Sequence, residues 1–323
     1  MLWNWLVRPH RNSKLKYYLR AYTRQLLPTA YYRNQLAGML QTQDKYGAAY
    51  LQQRLDYYCQ LQEVHPLPDE ARALGELRIP KRLKPYYFDL YQYARYFDQG
   101  LRGVFHYGDN VHDPQYPELV KSRPIPDGKP SNAVLLKWNK VRHFNFVRDT
   151  TPFYQKRDLV LFRNKVHEQR QHNRIRFMEQ YHGHPLVDAG MSNQNSLPEQ
   201  WRVPKMTIGE QLKYKFVMTL EGNDVASNLK WVMSSNSIAI MPRPRYETWF
   251  MEGTLQADKH YIAIADDYSD MEDKVGYYLA HPGAADAIRK AANRHVEQFK
   301  NRRREDLLSL MVLDKYFRMT GQL

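Results

Sequence analysis

The stretch Glu221-Gly222-Asn223-Asp224-Val225-Ala226-Ser227-Asn228-Leu229-Lys230-Trp231 sets Gly, Asn, Asp and Ser between an apolar run and a helical pattern. Such a turn leaves backbone N–H groups unpaired at the helix start, where a phosphate can accept them with help from the helix dipole. Ser227 can add a hydroxyl and Lys230 a point charge, although an ordinary N-capped helix uses the same residue types. Arg163 closes the apolar run Leu159-Val160-Leu161-Phe162, and Arg170, Arg174 and Arg176 follow in a helical stretch. A guanidinium at a strand end suits a diphosphate bidentately. These groups bind; a different residue must move a proton. Asp109, in Tyr107-Gly108-Asp109-Asn110, stands where a short apolar run breaks into a Pro-rich loop. A carboxylate there can take a proton from an acceptor hydroxyl, or simply shape a turn. His106, His112 and Asp113 lie close by, but their spacing fits no metal-ligand pattern, and no metal is expected.

The elements that must position these residues fall into two textures. Residues 12–62 read as helices, with Leu15, Tyr18, Leu19 and Tyr22, then Leu51, Leu55 and Tyr58, at helical spacing. Residues 65–85 hold four prolines and read as a connector, and residues 113–130 hold five and read as loop. Val104–Tyr107, Ala133–Leu136 and Phe144–Val147 read as strands. From about residue 156, strands alternate with helices: Leu159–Phe162, Phe216–Leu220, Ser237–Met241 and Tyr261–Ile264, with helical stretches near 167–181, 208–214, 225–235 and 270–279. Alternation of that kind implies parallel βαβ units, with ligands outside the carboxyl ends of the strands. Arg163, the 221–224 turn and Asp266-Asp267 all fall at such ends. Residues 284–318 read as one or two long helices with two apolar stripes.

Composition bounds the partners. Of 323 residues, 43% are hydrophobic and 13% aromatic, including 25 tyrosines, which argues for a folded chain and against disorder. Lys and Arg number 48 against 34 Asp and Glu, a net charge of +14 that favours anionic partners without choosing among them. With Cys59 as its one cysteine, the chain can form no internal disulfide and no cysteine-based zinc site. No run is long and apolar enough to span a bilayer, and the first ten residues are too short and too early charged for a secretory signal. Trp3, Trp5 and Leu6 ahead of Arg8, Arg11, Lys14, Lys16 and Arg20 can rest on an anionic membrane or pack on the core. The absence of GxxxxGK[ST], GxGxxG, HExxH and GxSxG removes the main support for P-loop kinases, typical dehydrogenases, zincins and α/β-hydrolases.

An ordered series of segments resembles the lipopolysaccharide-modifying branch of glycosyltransferase family 90. It comprises Phe105–Asp109, Lys121-Ser122-Arg123-Pro124, Leu161-Phe162-Arg163, Leu220–Trp231, Ser235-Asn236-Ser237, Tyr246-Glu247-Thr248-Trp249-Phe250, His260-Tyr261 and Leu313–Phe317. The resemblance implies an α/β fold of GT-B type, two Rossmann-like domains facing a cleft, with C-terminal helices returning to the N-terminal domain. Placed on the sequence, the expectation is an acceptor-side domain over 1–155, a nucleotide-sugar domain over 156–283 and a helical segment over 284–323. It also implies inverting transfer from a UDP-sugar, as donor substrate, to a lipopolysaccharide core or other surface glycan, with no cofactor and no divalent ion.

By position, Asp109 resembles the family's general base and Arg163 its arginine after the first donor-domain strand. Ser227 and Asn228 stand where animal relatives carry an aromatic residue and a diphosphate-binding arginine. That arginine is replaced here by Asn228, leaving Lys230 and Arg174 as candidate cations; Glu221, Gly222, Asp224 and Glu247 complete the expected donor site. The partners expected are a nucleotide-sugar donor and a lipid-linked or lipopolysaccharide acceptor, with no nucleic acid. The expected location is the cytoplasm, with peripheral contact on the inner face of a bacterial inner membrane. Two other classes stay open at this point: a basic nucleic-acid-binding protein, which lacks a recognition helix or an aromatic-studded sheet, and an inactive scaffold of a glycan-assembly complex.

Overall fold

A computed structural model describes residues 10–323. Trp3, Trp5, Leu6 and Arg8, which entered the membrane expectation, lie outside the described residues. The chain divides into two compact units: Ser13–Val141 with Tyr246–Met251 and Phe299–Leu323, and Arg142–Arg245 with Glu252–Gln298 and the described residues 10–12. The sequence had put the change near residue 156 and kept 246–251 with the later domain.

The first unit opens on the helix Lys14–Thr23, capped by the Ser13 side chain, which accepts from the Lys16 N–H at 3.2 Å. Its inner face buries Ala21 against Tyr87 and Phe88 of the helix Lys84–Ala94, which starts on Pro85. The strands are β1 (Arg72–Ala73), β2 (Arg102–Phe105), β3 (Glu118–Val120), β4 (Ser122–Pro124) and β5 (Ala133–Leu135). They form a sheet of order β1-β2-β3-β5, with β2, β3 and β5 parallel and β1 antiparallel at the edge. β3 and β4 correct the reading of 113–130 as loop. Pro117 precedes β3 and Pro124 ends β4, positions a strand tolerates. Strands of three residues are too short to show periodicity.

Charged groups lie inside this unit. Arg54 of the helix Ala48–Tyr58, Lys137 and the Trp249 indole N–H all reach Glu305 of the C-terminal helix Arg302–Met319, at 2.6, 2.9 and 2.7 Å. Tyr58 stacks on Trp249 with ring centres 3.8 Å apart. A buried carboxylate is tolerable only when its lone pairs are met in this way.

The second unit is built on β6 (Arg157–Asn164), β7 (Val187–Met191), β8 (Tyr214–Met218), β9 (Ile238–Met241) and β11 (Ile262–Ala263), all parallel, in the order β11-β9-β8-β6-β7. Counted from its own first strand, this is the doubly wound order 2-1-3-4-5. Val160, Phe162, Phe216, Met218, Ile238 and Ile240 bury on it beneath Phe177, Met271, Val275 and Ile288 of flanking helices, each such side chain contributing roughly 1.5–3 kcal/mol. Two long helices, Pro282–Glu297 and Arg302–Met319, fill the predicted 284–318 segment, and the second belongs to the first unit.

The predicted strand Phe144–Val147 does not form. Its backbone is satisfied by side chains: the Val147 N–H donates to Ser234 Oγ at 2.9 Å, and the Phe144 carbonyl accepts from Asn12. The remaining strand, β10 (Tyr246–Thr248), belongs to the first unit. It pairs antiparallel with β4, setting Glu247 opposite Arg123.

Candidate active site

In the first unit the chemistry collects at the carboxyl ends of two adjacent parallel strands. β2 ends at Phe105, and Gly108, with φ +138°, lets the chain bend into Asp109. β3 ends one residue before Lys121. That lysine is buried, and its ammonium lies 2.5 Å from Asp109 Oδ1, while the Asp109 side chain stays one-third exposed. The following loop is pinned to β4: the Asn110 N–H donates to Ser122 Oγ at 3.1 Å, and the Ser122 hydroxyl donates back to the Asn110 carbonyl. Asn110 Nδ2 donates to the His112 carbonyl at 2.8 Å. The carboxylate is therefore held in one place with a face toward solvent, as a proton acceptor for a hydroxyl must be. Sequence reasoning gave Lys121 no role. Lys121 belongs to the Lys121–Pro124 block, but a separation of twelve residues does not reveal an ion pair across two strand ends.

Glu247 takes a different place from the one expected. It is fully buried in the first unit, where Arg123 Nε donates to Oε1 at 2.8 Å and the Tyr57 hydroxyl donates to Oε2. Arg123 also donates to the carbonyls of Ala133 and Tyr57. The β4–β10 register puts the two charges face to face, so Glu247 ties the strand pair together within this unit.

In the second unit the exits of β6 and β8, the neighbouring strands at which the strand order reverses, are joined by one side chain. Arg174, from the helix His172–Tyr181, donates to the carbonyls of Lys165, Leu220 and Glu221 at 2.7, 2.8 and 3.1 Å. Burial, with the charge of Arg142 adding to it, draws its guanidinium down to about 10. Arg174 thus positions the two loops, a correction to its reading as a phosphate-binding cation. Gly222 is needed beside it, since a Cβ there would lie 3.2 Å from Arg174 Nη2. The Gly222 N–H donates to the carbonyl of buried Asp224, closing the turn. Glu221, mostly buried, meets Arg245, whose backbone N–H and Nε donate to its two oxygens at 2.9 and 3.1 Å.

Past the turn, Ser227 and Asn228 are half-buried, and Asn228 Nδ2 donates to the carbonyl of Met218 at 3.2 Å. The helix that follows is Leu229–Met233, five residues where 225–235 was predicted. One turn carries little dipole, so its electrostatic pull on an anion is smaller than the sequence suggested. Lys230 is a second correction: it is fully buried, with Nζ 2.7 Å from Glu252 Oε1. Burial demands an opposite charge, and Glu252 supplies it. A further cation on this turn, absent from the sequence-based set, is Arg245, whose side chain is two-thirds exposed. The run Arg243-Pro244-Arg245 after β9 was its signal.

Arg163 stands at the end of β6 with its side chain 7% exposed, donating from Nη2 to Asp188 Oδ1 and from Nε to the Met206 sulfur. Asp188 is further held by the Tyr214 hydroxyl. Arg163 Nη1 is buried without a hydrogen-bond partner, a cost that a folded protein rarely leaves unmet. Among the described residues, no three His, Cys, Asp or Glu side chains gather in a way that could hold a metal, and no helix is long and apolar enough to cross a membrane.

A doubly wound parallel sheet with a Gly-containing polar turn at its switch point belongs to the class of α/β proteins that hold ligands at strand ends. Comparison with known proteins makes the class specific. A model described as glycosyl transferase family 90 matches residues 131–318, a span that includes Arg163 through Glu247 and begins after Asp109. An O-glucosyltransferase LpsA of Dichelobacter nodosus is 40% identical over 314 residues, covering 95% of this chain and 96% of that protein. The chain belongs to glycosyltransferase family 90 and is a glycosyltransferase.

Proposed function

We propose that this glycosyltransferase moves a hexose, glucose in the first instance, from a UDP-sugar to a hydroxyl of a lipopolysaccharide core or related surface glycan, with inversion and without a divalent ion. The observation that carries the donor part is the bridge at the switch point, where Arg174 fixes the exits of β6 and β8 and leaves the Gly222 turn and Arg245 around them. Glucose and the surface glycan are drawn from the name of the relative and from the branch of the family the sequence resembles.

In the proposed step, Asp109 accepts the proton of the acceptor hydroxyl while its oxygen forms a bond to the anomeric carbon. The bond from that carbon to the diphosphate breaks, and its electron pair leaves on the UDP oxygen. Arg163, Arg245, the Ser227 hydroxyl and the backbone N–H groups near Gly222 and Asn228 take up the charge that grows there. A GT-B arrangement is part of this proposal, as is a cytoplasmic site of action.

The test is Asp109→Asn. Transfer from UDP-glucose to a purified glycan acceptor should fall by roughly 10²–10⁴-fold with the thermal midpoint kept. Near-native transfer by the folded variant would remove Asp109 from the mechanism. In a donor panel, UDP-linked sugars should raise the thermal midpoint most; stronger stabilisation by GDP- or ADP-linked sugars would overturn the donor reading.

A further inference from the structure

The helix Lys14–Thr23 and the turn after it carry an apolar stripe that stays largely exposed, with Tyr22 packing edge-on against Phe88 at 5.0 Å between ring centres. Leu15, Leu19, Tyr22 and Leu26 are 67%, 63%, 44% and 81% exposed. At 100° per residue these four fall within about 60° of arc, while the opposite side supplies Ala21 to the core and the Tyr17 hydroxyl to Asp89. Leu27 and Tyr31 continue the exposed apolar surface.

The charges around this stripe are mostly positive, with Asp98 meeting Arg33 at 3.3 Å as an exposed exception. From His10 to Gln43 there are six Lys and Arg and no Asp or Glu. Lys14, Lys16 and Arg20 are all exposed on the helix. The loop Lys81-Arg82-Leu83-Lys84 lies beside it, tied through the Tyr17 hydroxyl to the Pro85 carbonyl at 3.1 Å. That loop exposes Lys81, Arg82 and Leu83 together.

We infer that this face docks on an anionic lipid bilayer, the apolar stripe entering the headgroup boundary and the basic residues meeting lipid phosphates. An exposed leucine stripe calls for an apolar medium, and a rim with a marked excess of cations calls for an anionic one; a bilayer surface supplies both. A protein partner with an acidic rim, or a second copy of this chain, would be a different occupant. The like charge of the rim disfavours the second copy. The inference does not rest on the sugar-transfer reading, and its readout needs no donor or acceptor.

The experiment is sedimentation of the full chain with vesicles. One set is phosphatidylglycerol and phosphatidylethanolamine in equal parts, the other phosphatidylcholine alone. Wild type should pellet with the anionic vesicles, weakly with the neutral ones, and less as salt rises. A Leu15→Ser/Leu19→Ser/Leu26→Ser variant and a Lys14→Gln/Lys16→Gln/Arg20→Gln variant should each lose about tenfold in partitioning. All six positions are exposed, and far-UV circular dichroism checks that each variant is folded. Three results would overturn the inference: no binding to anionic vesicles, equal binding to neutral ones, or wild-type binding by both folded variants. A solution dimer by light scattering that the leucine variant converts to monomer would assign the stripe to a second copy instead.

Discussion

The two compact units are held together by different chemistry. In the second, one apolar cluster covers the five-stranded sheet, with buried ion pairs such as Lys156–Asp149 and Lys230–Glu252 beside it. In the first, a short sheet is supplemented by a node of charge, with Arg54, Lys137 and Trp249 sharing Glu305, and by the Arg123–Glu247 pair. Apolar packing tolerates a change of shape that conserves volume. A charge node tolerates changes of shape no better, and loss of its one anion far worse. The unit that carries Asp109 therefore depends on particular residues, and the sheet beneath the Gly222 turn depends on total volume.

The sharpest way to break this contrast is a pair of near-isosteric substitutions. Glu305→Gln changes almost no volume but leaves Arg54 and Lys137 buried without their carboxylate, and should cost about 3–5 kcal/mol. Met218→Leu in the second unit, also fully buried, should cost less than about 1.5 kcal/mol. Urea midpoints of the two variants against wild type check both values. Equal costs would mean that the charge node is no more demanding than the apolar cluster.

The same contrast explains what was legible in the sequence. β6, β8 and β9 each hold an unbroken apolar run of three or four residues, and their alternation with helices sufficed for a parallel sheet. β7 escaped because Val187-Asp188-Ala189-Gly190-Met191 mixes a carboxylate and a glycine into a buried strand. β3, β4 and β10 escaped because three residues show no period. Arg163, Glu221 and Gly222 stand at or just past strand ends, where their type and spacing had put them. Lys230 and Glu247 were misplaced because a charge in a polar motif looks the same whether it faces a ligand or a buried partner. Only the fold supplies Glu252 and Arg123 as those partners. Lys121 was passed over for the converse reason: nothing local marks a lysine whose partner arrives from another strand.

Two glycine substitutions should sharpen the contrast at smaller cost. A Cβ at Gly190 would lie 2.0 Å from Arg163 Nη1 and 2.1 Å from Val203 Cγ2. Gly190→Ala should then cost about 1–3 kcal/mol through overpacking and, by displacing Arg163, raise the KM for the donor. At Gly108 there is open space around the Cβ position, but φ is +138°. Gly108→Ala should cost about 1–3 kcal/mol of backbone strain, read out mainly as a lower kcat because Asp109 follows directly. Steady-state kinetics with both substrates separates the two; the opposite split would exchange the roles given to these strand ends.

The smallest effect expected is in acid. Burial alone would raise Glu305, but Lys137, Arg54 and the Trp249 N–H together hold it below the usual glutamate range. A carboxyl lowered on folding gives stability that is present above its unfolded value, near pH ~4.5, and lost as pH falls toward the folded value. Wild type should therefore lose urea resistance below that pH. Glu305→Gln has no proton to bind at this position, so its acid limb should be flatter. The gap between the two midpoints should narrow as the pH drops, because protonation brings the wild-type node toward the state the amide already has. A gap that stays constant to pH ~3 would show that the node is held by shape and hydrogen bonds rather than charge, and the difference between the two units would then be one of packing alone.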